Sequence, residues 1–318
     1  MKVLVTGGCG FIGSNLLAYF KKELPEVSIR VLDNLSLGNK KIAADFDVEF
    51  FEGDIRDKQI VQKALKNVSA VVHLAAHTRV LDSMQNPEEN FQVNAWGTFN
   101  LLQSARETGV DRFVFASTGG AIIGESEELP INENKVPRPL SPYGASKLSG
   151  EGYCSAFAGS FDMKTVSLRF SNVYGPYSLH KKSVVITFLK NILNQQPLII
   201  YGDGSQTRDY LFVEDLSEVI VKSLQIKKGG EVFQLGSGKE TSINELISKI
   251  REAIGANFPF EVQYKPFRSG EVRHNYADIS KANFILEYRP RISLASGLER
   301  TWNWLLKNKS MLNADHVV

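Results

Sequence analysis

The first strand and turn of this chain constrain everything after them. Lys2-Val-Leu-Val-Thr6 is a short apolar run rich in β-branched side chains, the composition of a parallel strand buried on both faces. Gly7-Gly-Cys-Gly10-Phe-Ile-Gly13 follows at once, and Ser14-Asn-Leu-Leu-Ala18 then reads as the opening of a helix. Glycines at such a junction permit a tight turn and let the backbone approach a pyrophosphate, whose charge a helix N-terminus favours. Gly8, Gly10 and Gly13 satisfy G-x-G-x-x-G, while Gly7, Gly10 and Gly13 satisfy G-x-x-G-x-x-G. Alone, such a triplet can be an ordinary strand-to-helix turn. A second apolar strand, Ile29-Arg-Val-Leu32, separates the two readings. It ends in Asp33, about 20 residues past the last glycine, where a dinucleotide-binding fold carries its ribose acid. An acid there would repel a 2′-phosphate, so NAD is expected rather than NADP.

Val48-Glu-Phe-Phe51, Ala70-Val-Val-His-Leu-Ala75 and Arg112-Phe-Val-Phe-Ala116 read as the third, fourth and fifth strands. Helical patterns over Asp57–Lys66 and Asn86–Glu107 alternate with them. That alternation predicts an α/β fold, a Rossmann doubly wound parallel sheet with right-handed crossovers. Ligands of such sheets bind beyond the carboxyl ends of the strands. Gly7, Gly10, Phe11, Ile12 and Gly13, then Asp33 and Asn34, Asp54 and Ile55, and Leu74, Ala75 and Ala76 all fall at such ends, as do Ser117 and Thr118. One site is expected to gather them. Asp54 is either an adenine contact or a helix cap, and His73, inside an apolar run, reads as a core histidine.

Ser141-Pro-Tyr143-Gly-Ala-Ser-Lys147 carries the chemistry. Ser141 suits a helix cap and Pro142 a first turn, which puts Tyr143 and Lys147 one turn apart on one face. An ammonium near a phenol favours the phenolate, the form needed for a general base. Competing function classes find less support. A net charge of +2 with no basic run speaks against nucleic acid, and no apolar run is long enough to span a membrane. Cys9 and Cys154 are far apart and the five histidines lack ligand spacing, so no metal is expected. With no signal-peptide pattern, a cytoplasmic setting is expected.

With these motifs in view, residues 1 to about 306 resemble the extended short-chain dehydrogenase/reductase family, and within it the nucleotide-sugar epimerases and dehydratases. The resemblance rests on Thr6–Gly13, His73-Leu-Ala-Ala76, Asn94-Ala-Trp-Gly-Thr98, Tyr143-x-x-x-Lys147, Arg169-Phe-Ser-Asn172-Val-Tyr-Gly-Pro176 and Gly202-Asp-Gly-Ser-Gln-Thr-Arg208-Asp-Tyr210. It implies that Thr118 or its neighbour Ser117 hydrogen-bonds the sugar 4-OH beside Tyr143, and that Lys147 also holds the nicotinamide ribose. It further implies that Asn172, Arg208 and Arg268 contact the nucleotide diphosphate, with Glu271 and Asn275 among the substrate contacts. Asn275 falls where epimerases restricted to plain hexoses often have a tyrosine, which implies room for an N-acetyl group. A homodimer built on the helices from Glu88 and from Tyr143 is implied as well.

Residues 1–170 are expected to form the NAD-binding domain, with 210–237 contributing back to its sheet, and 171–318 mainly a smaller interleaved substrate-binding lobe. Dehydratases of the family need an acid pair after the hydroxyl residue, and UDP-glucuronate decarboxylases usually have a glutamate there. This chain has Gly119-Gly120. The expected activity is therefore NAD-dependent epimerisation at C4 of a nucleotide-diphosphate sugar through a 4-keto intermediate. A dehydratase or decarboxylase with its acid elsewhere, or a non-catalytic NAD-binding regulator, remain the alternatives. One departure stands out: Ile123 occupies the place of the family's usual tyrosine before a glycine.

Overall fold

Alternation within β1 (Lys2–Thr6) explains the layering. Val3 and Val5 face one side of a sheet and Leu4 the other, and all are fully buried. The computed structural model describes residues 1–126, 128–267 and 273–312. β2 (Ser28–Asp33), β3 (Glu49–Glu52), β4 (Ala70–His73), β5 (Arg112–Thr118) and β6 (Lys164–Phe170) extend the sheet. β7 (Asn172–Tyr174), β8 (Leu198–Tyr201), β9 (Thr207–Arg208) and β10 (Tyr210–Phe212) lie outside it, and β11 (Glu231–Leu235) returns to its edge. β12 (Thr241–Ser242) pairs with β9 and β13 (Val262–Lys265) with β8. The seven-stranded sheet runs β11-β6-β5-β4-β1-β2-β3 with every pair parallel. Strand order reverses between β1 and β4, the switch point where such sheets open a crevice.

α1 (Phe11–Glu23) packs Leu16 and Phe20 against Val3 and Val5, while α2 (Lys40–Asp45) lies beyond β2. α3 (Lys58–Leu65) covers the opposite face together with later helices, through Val61 and Leu65 against Leu4 and Val71. The stretch read as one helix from Asn86 to Glu107 is interrupted. α4 (Val80–Gln85) precedes it, α5 (Pro87–Phe91) opens it, Gln92–Trp96 is a π-helical turn, and α6 (Gly97–Glu107) follows. A π turn holds one extra residue, and such turns are frequent at functional sites. α7 (Gly119–Ile123) and α8 (Pro142–Phe161) complete this half.

α9 (Val184–Leu193), α10 (Val213–Ser223), α11 (Ile243–Ile254), α12 (Ser280–Ile285) and α13 (Leu294–Lys307) follow in order, before the short α14 (Lys309–Leu312). Phe188, Ile200, Phe212, Leu246, Ile250 and Trp302 form a separate apolar core there. Of the stretch 210–237 expected to contribute to the main sheet, Glu231–Leu235 does rejoin it, but Tyr210–Phe212 does not. β11 pairs with β6 as far as Phe170, so β10 is left to pair with β7, the continuation of the chain beyond Ser171. Among the described residues, no helix is long and apolar enough to cross a membrane.

Candidate active site

The glycine turn is shaped by contact, since a Cβ on Gly13 would lie 2.3 Å from the Gly7 carbonyl oxygen. Gly7 itself sits at φ +69°, with the backbone of Ala75 immediately beside it. α1 begins at Gly10 with no side-chain cap, which leaves its first N–H groups available to an anion. These features border a cleft with about 810 Å³ of free space, part of it open solvent. Gly7, Gly10, Phe11, Ile12 and Gly13 line it, with Asp33, Asn34, Asp54 and Ile55, and Leu74, Ala75 and Ala76. The structure therefore brings these sequence-predicted residues together, whereas Ser117 and Thr118, expected in the same site, are not among the residues that line this cleft.

Asp33 is buried at the end of β2, its Oδ2 accepting from the Cys9 N–H (2.9 Å) and its Oδ1 from the Leu35 N–H (2.8 Å). Burial raises its carboxyl above the usual range, and the two N–H groups only partly oppose this. A carboxylate has about four acceptor sites, so capacity remains for ribose hydroxyls. Asp54 lies in the fork of Arg56, with Nε to Oδ1 and Nη2 to Oδ2 both at 2.9 Å, and accepts from Asn34 at 3.1 Å. Burial raises its carboxyl, but these bonds overcome that and hold it below the usual range. Asp57, not Asp54, caps α3. An uncapped helix start, a glycine cradle and a buried acid at the end of β2 together fit NAD.

The floor of the cleft is fixed by a buried relay. His73 Nδ1 lies 2.7 Å from Thr6 Oγ1 and its Nε2 lies 2.9 Å from Thr98 Oγ1. Thr98 donates to the Asn94 carbonyl, so it accepts from Nε2–H, and Nδ1 is left to accept from Thr6. Burial pushes His73 down to about 3, with the Lys147 charge adding to it, so it is a neutral core histidine as expected. Asn94, on the π turn, accepts from His77 N–H (2.8 Å) and donates to the His77 carbonyl (2.9 Å). It thereby sets the loop after β4. The Asn94 motif was visible in the sequence; this role was not.

Tyr143 and Lys147 occupy successive turns of α8, which Ser141 caps by accepting from the Gly144 N–H. Lys147 is buried; its Nζ donates to the Ala116 carbonyl (2.9 Å) and lies 4.8 Å from the centre of the Phe115 ring. Burial, then the charge of Lys181, pushes it down to about 7. Burial likewise pushes the Tyr143 phenol up to about 12. The ammonium one turn away is aimed at the end of β5 and does not by itself make the phenolate.

Neighbouring hydroxyls on β5 face opposite ways, and their partners differ. Ser117 is buried and donates to Glu151 Oε1 at 2.6 Å. Glu151 is itself held by Arg169, Nε to Oε1 at 2.9 Å and Nη2 to Oε2 at 2.8 Å. Thr118 is half-buried at the strand end, ahead of the glycine turn. A Cβ on Gly119 would lie 2.5 Å from Gln234 Oε1, and one on Gly120 would lie 2.6 Å from Asn275 Nδ2. Asn275 is thus placed directly against the turn that follows Thr118. Ile123, in the family's tyrosine position, is buried with Ile122 and Ile131.

Asn172 and Arg208 line a second cavity, with Tyr201, Gln206 and Lys182. Arg268 and Glu271 lie outside the described residues. Reading the sequence missed His77, His180 and Lys181, which line the dinucleotide cleft. For the last two, the available signal was the adjacency of His180, Lys181 and Lys182 ahead of α9.

A sequence model of the NAD dependent epimerase/dehydratase family matches residues 3–236. UDP-glucose 4-epimerase of Mycolicibacterium smegmatis is 35% identical over 317 residues, covering 98% of this chain and 100% of the relative. The structure of UDP-glucose 4-epimerase from Thermotoga maritima with UDP-glucose superposes with a TM-score of 0.91 at 35% identity, covering 97% of this chain and 100% of that one. That of the Thermus thermophilus UDP-glucose 4-epimerase complex with NAD gives 0.88 at 36% identity, with coverage of 97% and 100%.

Proposed function

Because this chain belongs to the NAD-dependent epimerase/dehydratase family, we infer that it is an NAD-dependent 4-epimerase of nucleotide-diphosphate sugars. The observation that carries this reading is the turn after β5, where Thr118 is followed by Gly119 and Gly120. Two glycines offer no acid or base for elimination or decarboxylation, so the site is left with chemistry at one carbinol.

Tyr143 is the proposed base, accepting the proton of the sugar 4-OH and returning it. Thr118 is the proposed hydroxyl that holds that oxygen, since Ser117 is committed to Glu151. Lys147 is proposed to hold the nicotinamide ribose and to supply positive charge near the phenolate. Asn172 and Arg208, with Arg268 and Glu271, are proposed to hold the diphosphate end, guanidinium forks matching phosphate oxygens. The glycine turn with Asp33, Asn34, Asp54 and Ile55, and with Leu74, Ala75 and Ala76, is proposed to hold NAD. Bound there, NAD supplies a hydride acceptor at C4 that later gives the hydride back. Residues 1–170 then serve the cofactor, with 231–235 completing the sheet, and 171–318 mainly the substrate.

Incubation with UDP-, dTDP- and GDP-hexoses, read by NMR of the product sugar, tests the activity. C4 epimers are expected. A 4-keto-6-deoxy or pentose product would replace this reading with a dehydratase or decarboxylase, and no turnover with retained NAD binding would favour a regulator.

Breadth of substrate is proposed to rest on Asn275. Its amide stands against the turn after Thr118, and it is small enough to admit and hydrogen-bond an N-acetyl group. Asn275→Tyr is expected to cut turnover of the UDP-N-acetylglucosamine/galactosamine pair about tenfold or more beyond its effect on the plain hexose pair. Equal losses on both pairs, measured as kcat/KM, would remove position 275 as the gate.

A homodimer is also proposed. Leu81, Met84, Phe91, Trp96, Tyr153 and Phe161 are exposed on α4, α5, the π turn and α8. Trp96, Phe99 and Tyr153 pack in series with tilted rings, centroids 5.6 and 5.1 Å apart. Apolar side chains in such number mark an association surface. Light scattering should give twice the chain mass, and Leu81→Glu/Trp96→Glu should give a monomer; a monomeric wild type would exclude the dimer. Two free, buried cysteines support a reducing, cytoplasmic setting.

A further inference from the structure

The segment between β7 and α9 is tied down on several sides. Asn15 of α1 donates to the Pro176 carbonyl (2.8 Å), and Lys190 donates to that of Leu179 (3.2 Å). Tyr177 packs against Phe46, centroids 6.4 Å apart, and against Trp304 at 5.2 Å. So held, the segment delivers Lys181 to the dinucleotide cleft and Lys182 to the cavity of Asn172 and Arg208.

Lys181 Nζ donates to Thr78 Oγ1 at 2.9 Å, in the loop after β4. An ammonium has three N–H groups, so two are left after that bond. Burial is the cause that pushes Lys181 down, and among the described residues no carboxylate stands within ion-pairing distance of it. Its charge also acts on the buried Lys147, so the half-buried Lys181 ammonium brings a second positive charge to this side of the sheet. Buried charge without a counter-charge is costly, and an anion brought into the cleft relieves that cost. The same cleft holds the glycine turn and the uncapped start of α1, where a diphosphate is favoured.

We propose that Lys181 is a further cofactor-binding residue, whose ammonium bridges Thr78 and the diphosphate of the dinucleotide. This rests on the reading that the chain binds NAD. The phosphate of the cofactor is favoured over that of the sugar nucleotide because Lys181 borders the cleft of the glycine turn, whereas Lys182 borders the other cavity.

Calorimetric titration of wild type, Lys181→Met and Lys181→Arg with NAD, ADP-ribose, adenosine and UDP tests it. Charge-assisted bonds of this kind predict affinity for NAD and for ADP-ribose about tenfold or more weaker in Lys181→Met, with adenosine and UDP unchanged. Lys181→Arg should recover most of the loss. Thermal unfolding without NAD separates this role from a structural one. Removing a half-buried charge that has no counter-charge should leave the Tm equal or higher, whereas a purely structural lysine would lower it. Unchanged NAD and ADP-ribose affinity in Lys181→Met, a loss confined to UDP, or a lowered Tm with unchanged affinity would overturn the proposal. Failure of wild type to bind NAD would instead overturn the cofactor reading itself.

Discussion

Turnover of Tyr143→Phe is expected to fall by about 10²–10⁴-fold, the range that proton transfer by a positioned side chain carries. The substitution removes one oxygen and keeps the ring, so packing around the start of α8 should survive. Its backbone N–H still donates to Ser83 Oγ at 3.1 Å, and Ser141 still caps the helix. Thermal unfolding and NAD affinity should therefore stay close to wild type while kcat collapses. The pH dependence gives a second reading. Burial pushes the phenol up to about 12, so the base form grows as pH rises, and added positive charge in the complex moves that titration downward. The wild-type kcat should rise on its acid limb through this titration, and Tyr143→Phe should lose the limb. Near-normal turnover in the variant would move the base to another group.

The largest loss of stability is expected at Glu151. The carboxylate and the Arg169 guanidinium are both buried, with side chains 6% and 5% exposed, and are joined by two bonds. Arg169 Nη1 already lacks a partner. Glu151→Ala would leave the whole guanidinium uncompensated inside the protein, which typically costs about 3–5 kcal/mol. Glu151→Met/Arg169→Met removes both charges and should recover most of that, because a buried pair is often replaceable by apolar residues of similar volume. Activity should not recover with it. Ser117 loses its acceptor in both variants, and Ser117 fixes the strand end that presents Thr118. Denaturant titration alongside kcat measures the two effects separately; full recovery of both would show that the pair only fills space.

The glycine turn, the acid ending the second strand and the Tyr-x-x-x-Lys spacing were all legible in the chain, because each depends on neighbours within one turn or one strand–helix unit. So was the place of His73 in the core, which followed from its position in an apolar run. Long-range facts were not. The break of the Asn86–Glu107 helix into a π turn serves Asn94, whose partner His77 is separated from it by a loop and the short helices α4 and α5. β10 reads like any other short apolar strand, yet β11 had already taken the edge beside β6. Even the two hydroxyls of Ser117-Thr118 are alike in sequence, and only Glu151 on α8 distinguishes them.

By itself, then, the sequence determined the class of sheet, the place of the dinucleotide cleft and the pairing of Tyr143 with Lys147 on one helix, since local periodicity, glycine geometry and spacing along a helix are properties of short segments. The electrostatics belonged to the tertiary structure. Lys147 is near 7 rather than above 10 because the fold buries it and brings Lys181 close from a segment beyond β7. Which charges share a cleft, and which are desolvated in it, depends on distances that no spacing along the chain encodes.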